Sequence, residues 1–489
     1  MTRGVVHSIL EEAPEAVARR LAEAPRAAAL VELRADNLRA ADVAGLVRLA
    51  GRAVVVTVRS TADGGSFDGS TEEKSATLSA ALDAGCAFVD VEWNGPLRNL
   101  ADGKHAARTI LSHHGASCDS ASLTLLFDAM AGTKAGLLKL VPRATRPQEG
   151  GAVRELLARA RGAARGLASF AAGAAGSWSR IVALSWGSWG TYGAAARGRE
   201  TGDGQFTTSE LLDVYRVLEI SESTRLYGLC GTPLGGSPSP TLHAAGYRAL
   251  GLDAVYLPVE TGDLADVAAI VEGDGPLPLS GFGVTIPLKE HAAARCARLD
   301  AFAACGSANT VVVAASGWEG WNTDAPAALA LIRKHLDPNG TSVAVVGSGG
   351  TARAVAAALK EAGAFVTLFG RSASRGEKAA RAIGVAWLPL ASLPGARWDL
   401  LVQATPAGRN GEEVLLRRHL DGRMVLDAAY GAEPTPLVRA ARARGLAVAD
   451  GLDLLDAQAA LQFERLTGRP APTGAMTAAL LPWRSSADA

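Results

Sequence analysis

Residues 341–372 read TSVAVVGSGGTARAVAAALKEAGAFVTLFGRS. A short apolar run meets a cluster of glycines, an alanine-rich stretch of helical length follows, and a second apolar run closes the segment. That is a strand, a tight turn, a helix and a strand, the βαβ unit of a parallel sheet. Gly347, Gly349 and Gly350 permit the turn and let a pyrophosphate approach the helix N-terminus. Sites selective for NAD place an acid on the ribose hydroxyl about 20 residues further on. Here the second strand ends in FGRSASR, and Arg371 and Arg375 stand in that place. Two cations suit a 2′-phosphate, so the segment predicts a Rossmann lobe that takes NADP.

Outward from this unit, the chain follows two patterns. Up to about residue 220, short apolar strands alternate with alanine-rich helical stretches. The strand candidates are VVHSIL, AALVELRA, AVVVTVRS, AFVDVEW, RTILSHH, GLLKLVP, GLASFAA and GSWGTYGA. Eight such units in α/β alternation predict a closed (β/α)8 TIM barrel over residues 1–222. The Ala-, Gly- and Arg-rich segment from about 155 to 176 reads as helix. A loop-forming Gly, Pro and Ser cluster in RLYGLCGTPLGGSPSPTLH opens the second pattern. A substrate-binding lobe is expected over 223–330, regaining C-terminal helices 455–489, with the nucleotide lobe over 331–454.

With 489 residues the chain is too long for one core. Its 49 basic residues balance its 49 acidic ones, which argues against nucleic acid or an anionic membrane as a main partner. Cys86, Cys118, Cys230, Cys296 and Cys305 are scattered and lack metal-ligand spacing, so neither a metal site nor a disulfide framework is expected. The opening MTRGVVHSILEE turns acidic too soon for a secretory signal, and no run is long and apolar enough to span a bilayer. A cytoplasmic or similarly reducing setting is expected; the oligomeric state stays open.

In a barrel of this kind, reactive groups project from the C-terminal ends of the strands. Glu32, Arg34, Arg59, Glu92, His114 and Lys139 all fall there. Lys139 lies within an apolar run, where desolvation favours its neutral, nucleophilic form. An amine makes an imine from a ketone, a histidine moves the adjacent proton, and arginines clamp a carboxylate. Glu92 is the expected partner of the His114 imidazole. The set describes β-elimination of water from a hydroxylated keto acid.

Together ELRAD, TVRS, DVEW, SHH and LLKLVPRA resemble type I 3-dehydroquinate dehydratase over roughly residues 5–210. The resemblance implies a Schiff base on Lys139, acid/base work by His114 with Glu92 beside it, and substrate binding by Glu32, Arg34, Arg59, Arg180 and Gln205. It departs at His113, where the family often has tyrosine, and at Asp203, where it has proline.

In the second half, GFGVTIPLKE carries Lys289, GWNTDAPAAL carries Asp324, and GGSPSP offers Ser237 and Ser239 as hydroxyl partners. A lysine paired with a carboxylate can shuttle the proton that accompanies hydride transfer. GTPLGGSPSP, GFGVTIPLKE, SANTV, GWNTD, GSGGTARA, GRSASR, ATPAG and GLDLLDAQAALQFERLTG, in this order, resemble shikimate dehydrogenase over residues 225–489. The resemblance implies Lys289 and Asp324 as the catalytic pair. Shikimate would meet Ser237, Ser239, Thr285, Asn309, Tyr430 and Gln458, and NADP would meet Gly347, Gly349, Gly350, Arg371 and Arg375. Gly283, Gly370 and Gln403 each replace a family asparagine.

The expected whole is a bifunctional enzyme that dehydrates 3-dehydroquinate to 3-dehydroshikimate and reduces that to shikimate. Small molecules are then its partners. Two alternatives are an NAD-dependent catabolic quinate or shikimate dehydrogenase fusion and a non-catalytic metabolite-sensing regulator on the same folds. The missing acid after the second strand leans against the first. Retention of Lys139, His114, Lys289 and Asp324 leans against the second.

Overall fold

The strands of the computed structural model alternate with helices throughout; residues 3–412, 420–431 and 433–485 are described. Two compact units emerge, Met1–Thr224 with Leu257–Pro278, and Arg225–Tyr256 with Leu279–Ala489. The expected C-terminal helices reach residue 489, but 486–489 lie outside the described residues. No helix among the described residues is long and apolar enough to cross a membrane.

The first unit holds β1 (Gly4–Ile9), β2 (Leu30–Arg34), β3 (Val54–Thr57), β4 (Phe88–Glu92), β5 (Thr109–Ser117), β6 (Leu137–Arg143), β7 (Leu167–Ser169) and β8 (Gly190–Ala194). They form one parallel sheet in the order β7-β6-β5-β4-β3-β2-β1-β8. The eight expected strands are all present. The ring is nearly closed: Trp189 donates its backbone N–H to the Leu167 carbonyl at 2.8 Å, just before β8 begins. The helical reading of 155–176 extends too far. The helix Gly151–Gly162 stops before β7, which takes the apolar LAS.

Strand side chains alternate between two faces, and this period of two builds the barrel. Val6, Leu30, Val55, Phe88, Ile110 and Leu137 pack together as the apolar inner floor. Val31, Val54, Val89, Leu111 and Leu138 point the other way, into the core shared with the helices. Stepping along each strand by one repeat replaces the inner floor with Ser8, Glu32, Thr57, Asp90, Ser112 and Lys139. One more repeat brings Arg34, Arg59, Glu92 and His114. The apolar layer thus supports two polar ones.

After the barrel strands, β9 (Arg225–Gly231), β10 (Ala254–Glu260), β11 (Leu279–Val284), β12 (Arg298–Leu299), β13 (Thr310–Ala314) and β14 (Gly317–Trp321) form a mixed sheet. Its order is β10-β9-β11-β13-β14-β12. A second sheet holds β15 (Ser342–Val346), β16 (Phe365–Gly370), β17 (Ala386–Pro389), β18 (Leu400–Gln403), β19 (Met424–Asp427) and β20 (Ala447–Ala449). All its pairings are parallel, in the order β17-β16-β15-β18-β19-β20. That is the doubly wound nucleotide-binding topology, with its switch point between β15 and β18. The helix Gly451–Thr467 returns to the mixed-sheet lobe, where Phe463 is buried with Tyr227, Tyr247 and Tyr256.

The helix Thr71–Asp83 positions part of the barrel site because it carries Lys74. Its start is a capping box: Ser70 Oγ accepts the Glu73 N–H, and the Glu73 carboxylate accepts the Ser70 N–H. Ser70→Ala should lower barrel stability by about 1 kcal/mol in denaturant unfolding.

Candidate active sites

Within the barrel, Glu32, Asp36, Asp90 and Glu92 meet Arg34, Arg59, Lys74 and Lys139, each no more than 6% exposed. These four buried carboxylates offset these four cations, without which each charge would be prohibitive. The pairings are specific. Arg34 reaches Asp36 at 2.6 Å, Arg59 reaches Asp90 at 2.9 Å, and Lys74 pairs with Glu92. Glu32 accepts from Ser8 Oγ at 2.6 Å and Thr57 Oγ1 at 2.9 Å. Its carboxyl is held below the usual range by Lys139, Arg34 and these hydroxyls, against the opposing cost of burial.

Lys139 differs from the other cations. Its Nζ lies 3.7 Å from Glu32 Oε1, 3.7 Å from Asp90 Oδ2 and 3.8 Å from the centre of the Tyr192 ring. Those oxygens are beyond hydrogen-bond reach, so the ammonium has charges nearby but no acceptor among the described residues. Asp90 Oδ2 likewise receives no hydrogen bond. Burial lowers the Lys139 pKa most; Glu32 and Asp90 oppose it, and Arg59 and Arg34 add to it. Desolvation outweighs the two carboxylates because neither solvates the N–H groups.

Strand register separates the two neighbouring histidines. His114 pairs with Val141 of the inner floor, and His113 with Leu140 of the outer core. His114 therefore points inward with Lys139, and its pKa falls well below the usual value through burial and then through Arg59 and Lys139. The imidazole is neutral at neutral pH. Glu92 is not its partner. Ser60 donates to Glu92 Oε1 from its N–H at 2.8 Å and its hydroxyl at 2.6 Å, while Lys74 takes Oε2. Both oxygens are used, and His114 Nδ1 is buried without a hydrogen bond. Sequence reasoning missed Asp63, on the turn Thr61–Asp63, whose charge acts on His113. Its place just beyond Arg59 in TVRSTAD was the available signal.

Arg180 is buried, stacks on Phe170 at 4.3 Å and donates to the Asp203 carbonyl at 2.9 Å. It forms no ion pair among the described residues, and its Nε has no partner. Burial presses its pKa down to about 9, which still leaves it charged at neutral pH. The Asp203 carboxylate is taken instead by Arg143, at 2.8 Å from Nη1. Gln205 accepts from the Thr201 N–H at 2.6 Å and donates to the Tyr192 carbonyl at 3.2 Å. It ties the loop before it to β8, and Arg34 joins the same loop through the Thr201 carbonyl at 3.3 Å.

In the second unit, Lys289 Nζ donates to Asp324 Oδ2 at 2.5 Å and to Thr351 Oγ1 at 3.0 Å. Thr351 Oγ1 donates to the same carboxylate oxygen at 2.9 Å. Asn309 Nδ2 holds Asp324 Oδ1 at 2.7 Å and Thr323 Oγ1 at 2.9 Å, and leans on Gln458 Oε1 at 3.4 Å. The Asp324 pKa is lowered by Lys289 and these donors despite its burial. A cleft of about 220 Å³ is lined by Lys289, Asp324, Ser237, Ser239, Thr285 and Asn309. Tyr430, Gln458 and Thr351 complete its polar lining. Thr351, directly after the glycine turn, was missed by sequence reasoning.

The glycine turn fits a dinucleotide. Gly347 has φ +124°, and Gly349 begins the helix Gly350–Glu361. A Cβ at Gly350 would collide with Ser307 Oγ at 2.5 Å and crowd the Lys289 side chain. Arg371 and Arg375 are exposed just past β16 and form no ion pair among the described residues. They stay free for a phosphate. Gln403 does not face this space: it donates to the Ala407 carbonyl at 3.2 Å and accepts from Thr405 Oγ1 at 3.1 Å, bracing its own loop. Gly370 leaves only an ordinary contact to Trp387, at 3.5 Å from a Cβ built there.

Comparison with known families matches these two sites separately. Residues 6–222 match the type I 3-dehydroquinase family. Residues 229–311 match the shikimate dehydrogenase substrate binding domain, and 451–481 the shikimate 5′-dehydrogenase C-terminal domain. A shikimate dehydrogenase (NADP(+)) of Halobacterium salinarum is 38% identical over 261 residues, 52% of this chain and 98% of the relative. One from Acidiphilium cryptum is 40% identical over 251 residues, 50% of this chain and 91% of the relative. A solved dehydroquinate dehydratase and shikimate dehydrogenase from S. pombe aligns over 98% of both chains, with 24% identity and a TM-score of 0.43.

Two buried imidazoles give a pH test of the packing. His7 and His243 both have pKa values lowered from 6.5 to about 4, by burial first. Between pH 6.5 and about 4 the unfolded chain binds protons that the native chain refuses. Their contribution to stability should therefore fall as pH falls through that window and level off below it. NMR titration of the imidazoles should find both midpoints near 4.

Proposed function

The chain belongs to the type I 3-dehydroquinase family in its first half and the shikimate dehydrogenase family in its second, and from this we propose how its residues divide the work. It is a bifunctional enzyme that dehydrates 3-dehydroquinate to 3-dehydroshikimate and reduces that product to shikimate with NADPH. One contrast carries the assignment of chemistry: Lys139 is buried with no acceptor among the described residues, while Lys289 is hydrogen-bonded to a carboxylate and a hydroxyl. The first amine is suited to lose its proton and attack; the second is suited to hold a proton and give it.

In the barrel, neutral Lys139 Nζ attacks the substrate ketone. A C–N bond forms and water leaves, giving an imine that serves as an electron sink. His114 takes the adjacent proton, starting from its neutral form. The electrons pass into the imine, then return to expel the hydroxyl, to which His114 delivers the proton. Water then hydrolyses the imine and frees Lys139. Arg180, the buried cation lacking a carboxylate, binds that of the substrate. Glu32, Arg34 and Arg59 line the same polar layers. Burial lowers the His113 pKa and the Asp63 charge only opposes this; His114, which points inward with Lys139, is the base.

In the second unit, Gly347, Gly349, Gly350, Arg371 and Arg375 would hold NADP, with the arginines on the 2′-phosphate. NADPH, when bound, supplies the hydride. Lys289 donates a proton to the reduced carbonyl oxygen, and Asp324 holds the amine in place. Ser237, Ser239, Thr285, Asn309, Tyr430 and Gln458 bind the hydroxyls and carboxylate of shikimate. The five free cysteines fit a reducing, cytoplasmic setting.

Separate assays of the full chain test the division. Lys139→Ala should abolish dehydration, with a loss of at least about a thousand-fold, and leave reduction of 3-dehydroshikimate intact. Lys289→Ala should do the reverse. Loss of both activities in either variant contradicts the division.

A further inference from the structure

Gly283, on β11, is the one departure from the family pattern that lies beside the reductase cleft without an evident replacement. A Cβ built there would fall within contact of Tyr256 Oη, and would also lie 2.9 Å from Gln462 Oε1 and 3.0 Å from Gln462 Nε2. The space is therefore filled from β10 and from the helix Gly451–Thr467. Tyr256 Oη donates to Gln462 Oε1 at 2.9 Å, and His243 Nε2 meets the same oxygen at 3.1 Å. The two rings stack at 4.0 Å between centres and 4° between planes. Because burial keeps His243 neutral, its Nε2–H tautomer donates here. Gln462 Nε2 in turn donates to the Asn309 carbonyl at 3.1 Å and to Thr310 Oγ1 at 3.0 Å. All four hydrogen-bonding positions of the Gln462 amide are thus used, and its orientation is locked. The locked amide holds the backbone of Asn309, whose side chain holds Asp324.

We propose that Tyr256 is a positioning residue for the reductase: its hydroxyl occupies the space of a side chain at 283 and, through Gln462, fixes Asn309 and the substrate-binding wall of the cleft. The inference rests on reading this cleft as the shikimate site. Tyr256 touches neither substrate nor cofactor. Without the hydroxyl, Gln462 Oε1 keeps only His243, so the amide is held by three bonds instead of four and its grip on the Asn309 carbonyl loosens. The cost falls on substrate binding and spares the cofactor site, which is built from other residues.

Shikimate oxidation with NADP by the full chain tests this. Tyr256→Phe should raise the KM for shikimate about ten-fold, the worth of one buried hydrogen bond, with the KM for NADP and the dehydration rate unchanged. Gly283→Ala should lower kcat/KM for shikimate by about ten-fold or more, because its Cβ meets the hydroxyl. Adding Tyr256→Phe to Gly283→Ala should recover part of the lost activity, since the closest collision is gone while the crowding of Gln462 remains. An unchanged KM for shikimate in Tyr256→Phe overturns the inference, as does a double variant no better than Gly283→Ala. A wild-type chain that does not oxidise shikimate overturns the reading of the cleft itself, and this inference with it.

Discussion

An ammonium buried with no hydrogen-bond acceptor among the described residues is the constraint on which the barrel depends. Charge neutrality alone does not relieve it. Glu32 and Asp90 offset the charge of Lys139 from 3.7 Å, yet neither comes within hydrogen-bond distance of its N–H groups. The neighbouring cations find real partners: Arg34 on Asp36, Arg59 on Asp90, Lys74 on Glu92. Lys139 is left with a ring face and two distant oxygens. Giving up the proton relieves that cost, and on the proposed reading it is also what makes the amine a nucleophile.

The second unit uses a lysine in the opposite way. Lys289 is gripped by Asp324 and Thr351, and Asp324 by Asn309. Geometry, more than desolvation, prepares this amine. The chain of bonds continues from Asn309 through Gln462 to Tyr256 and His243. The Lys289–Asp324 pair at the cleft is thereby tied to an aromatic core, which on the proposed reading is how the site gains precision from residues that never meet the substrate.

Much of this was legible in the sequence, for a physical reason. A period of two is rigid: once the apolar floor residues are placed, Glu32, Asp90, Ser112 and Lys139 must share the interior, and Arg34, Arg59 and His114 must lie one repeat beyond. Register also separates His114 from His113. The βαβ unit was equally plain, because glycines between a strand and a helix leave few other readings. Contacts that depend on how a helix or turn is rotated against a strand were not legible. Lys74 reaches Glu92 from a helix face, so Glu92 looked free for His114 when it was not. Thr351 and the Tyr256–Gly283 contact join segments distant in the chain, and no local pattern announces either. The helix reading of 155–176 failed because alanine-rich composition masks a strand as short as β7.

The state of the Lys139 amine is the most direct test. The full chain is mixed with 3-dehydroquinate and borohydride across a range of pH, and the modified lysine is identified by mass spectrometry. A reduced substrate adduct on Lys139, trapped with a midpoint below the ordinary lysine value of 10.5, is the expected result. An adduct on another lysine, no adduct, or a midpoint at the ordinary value would contradict the account.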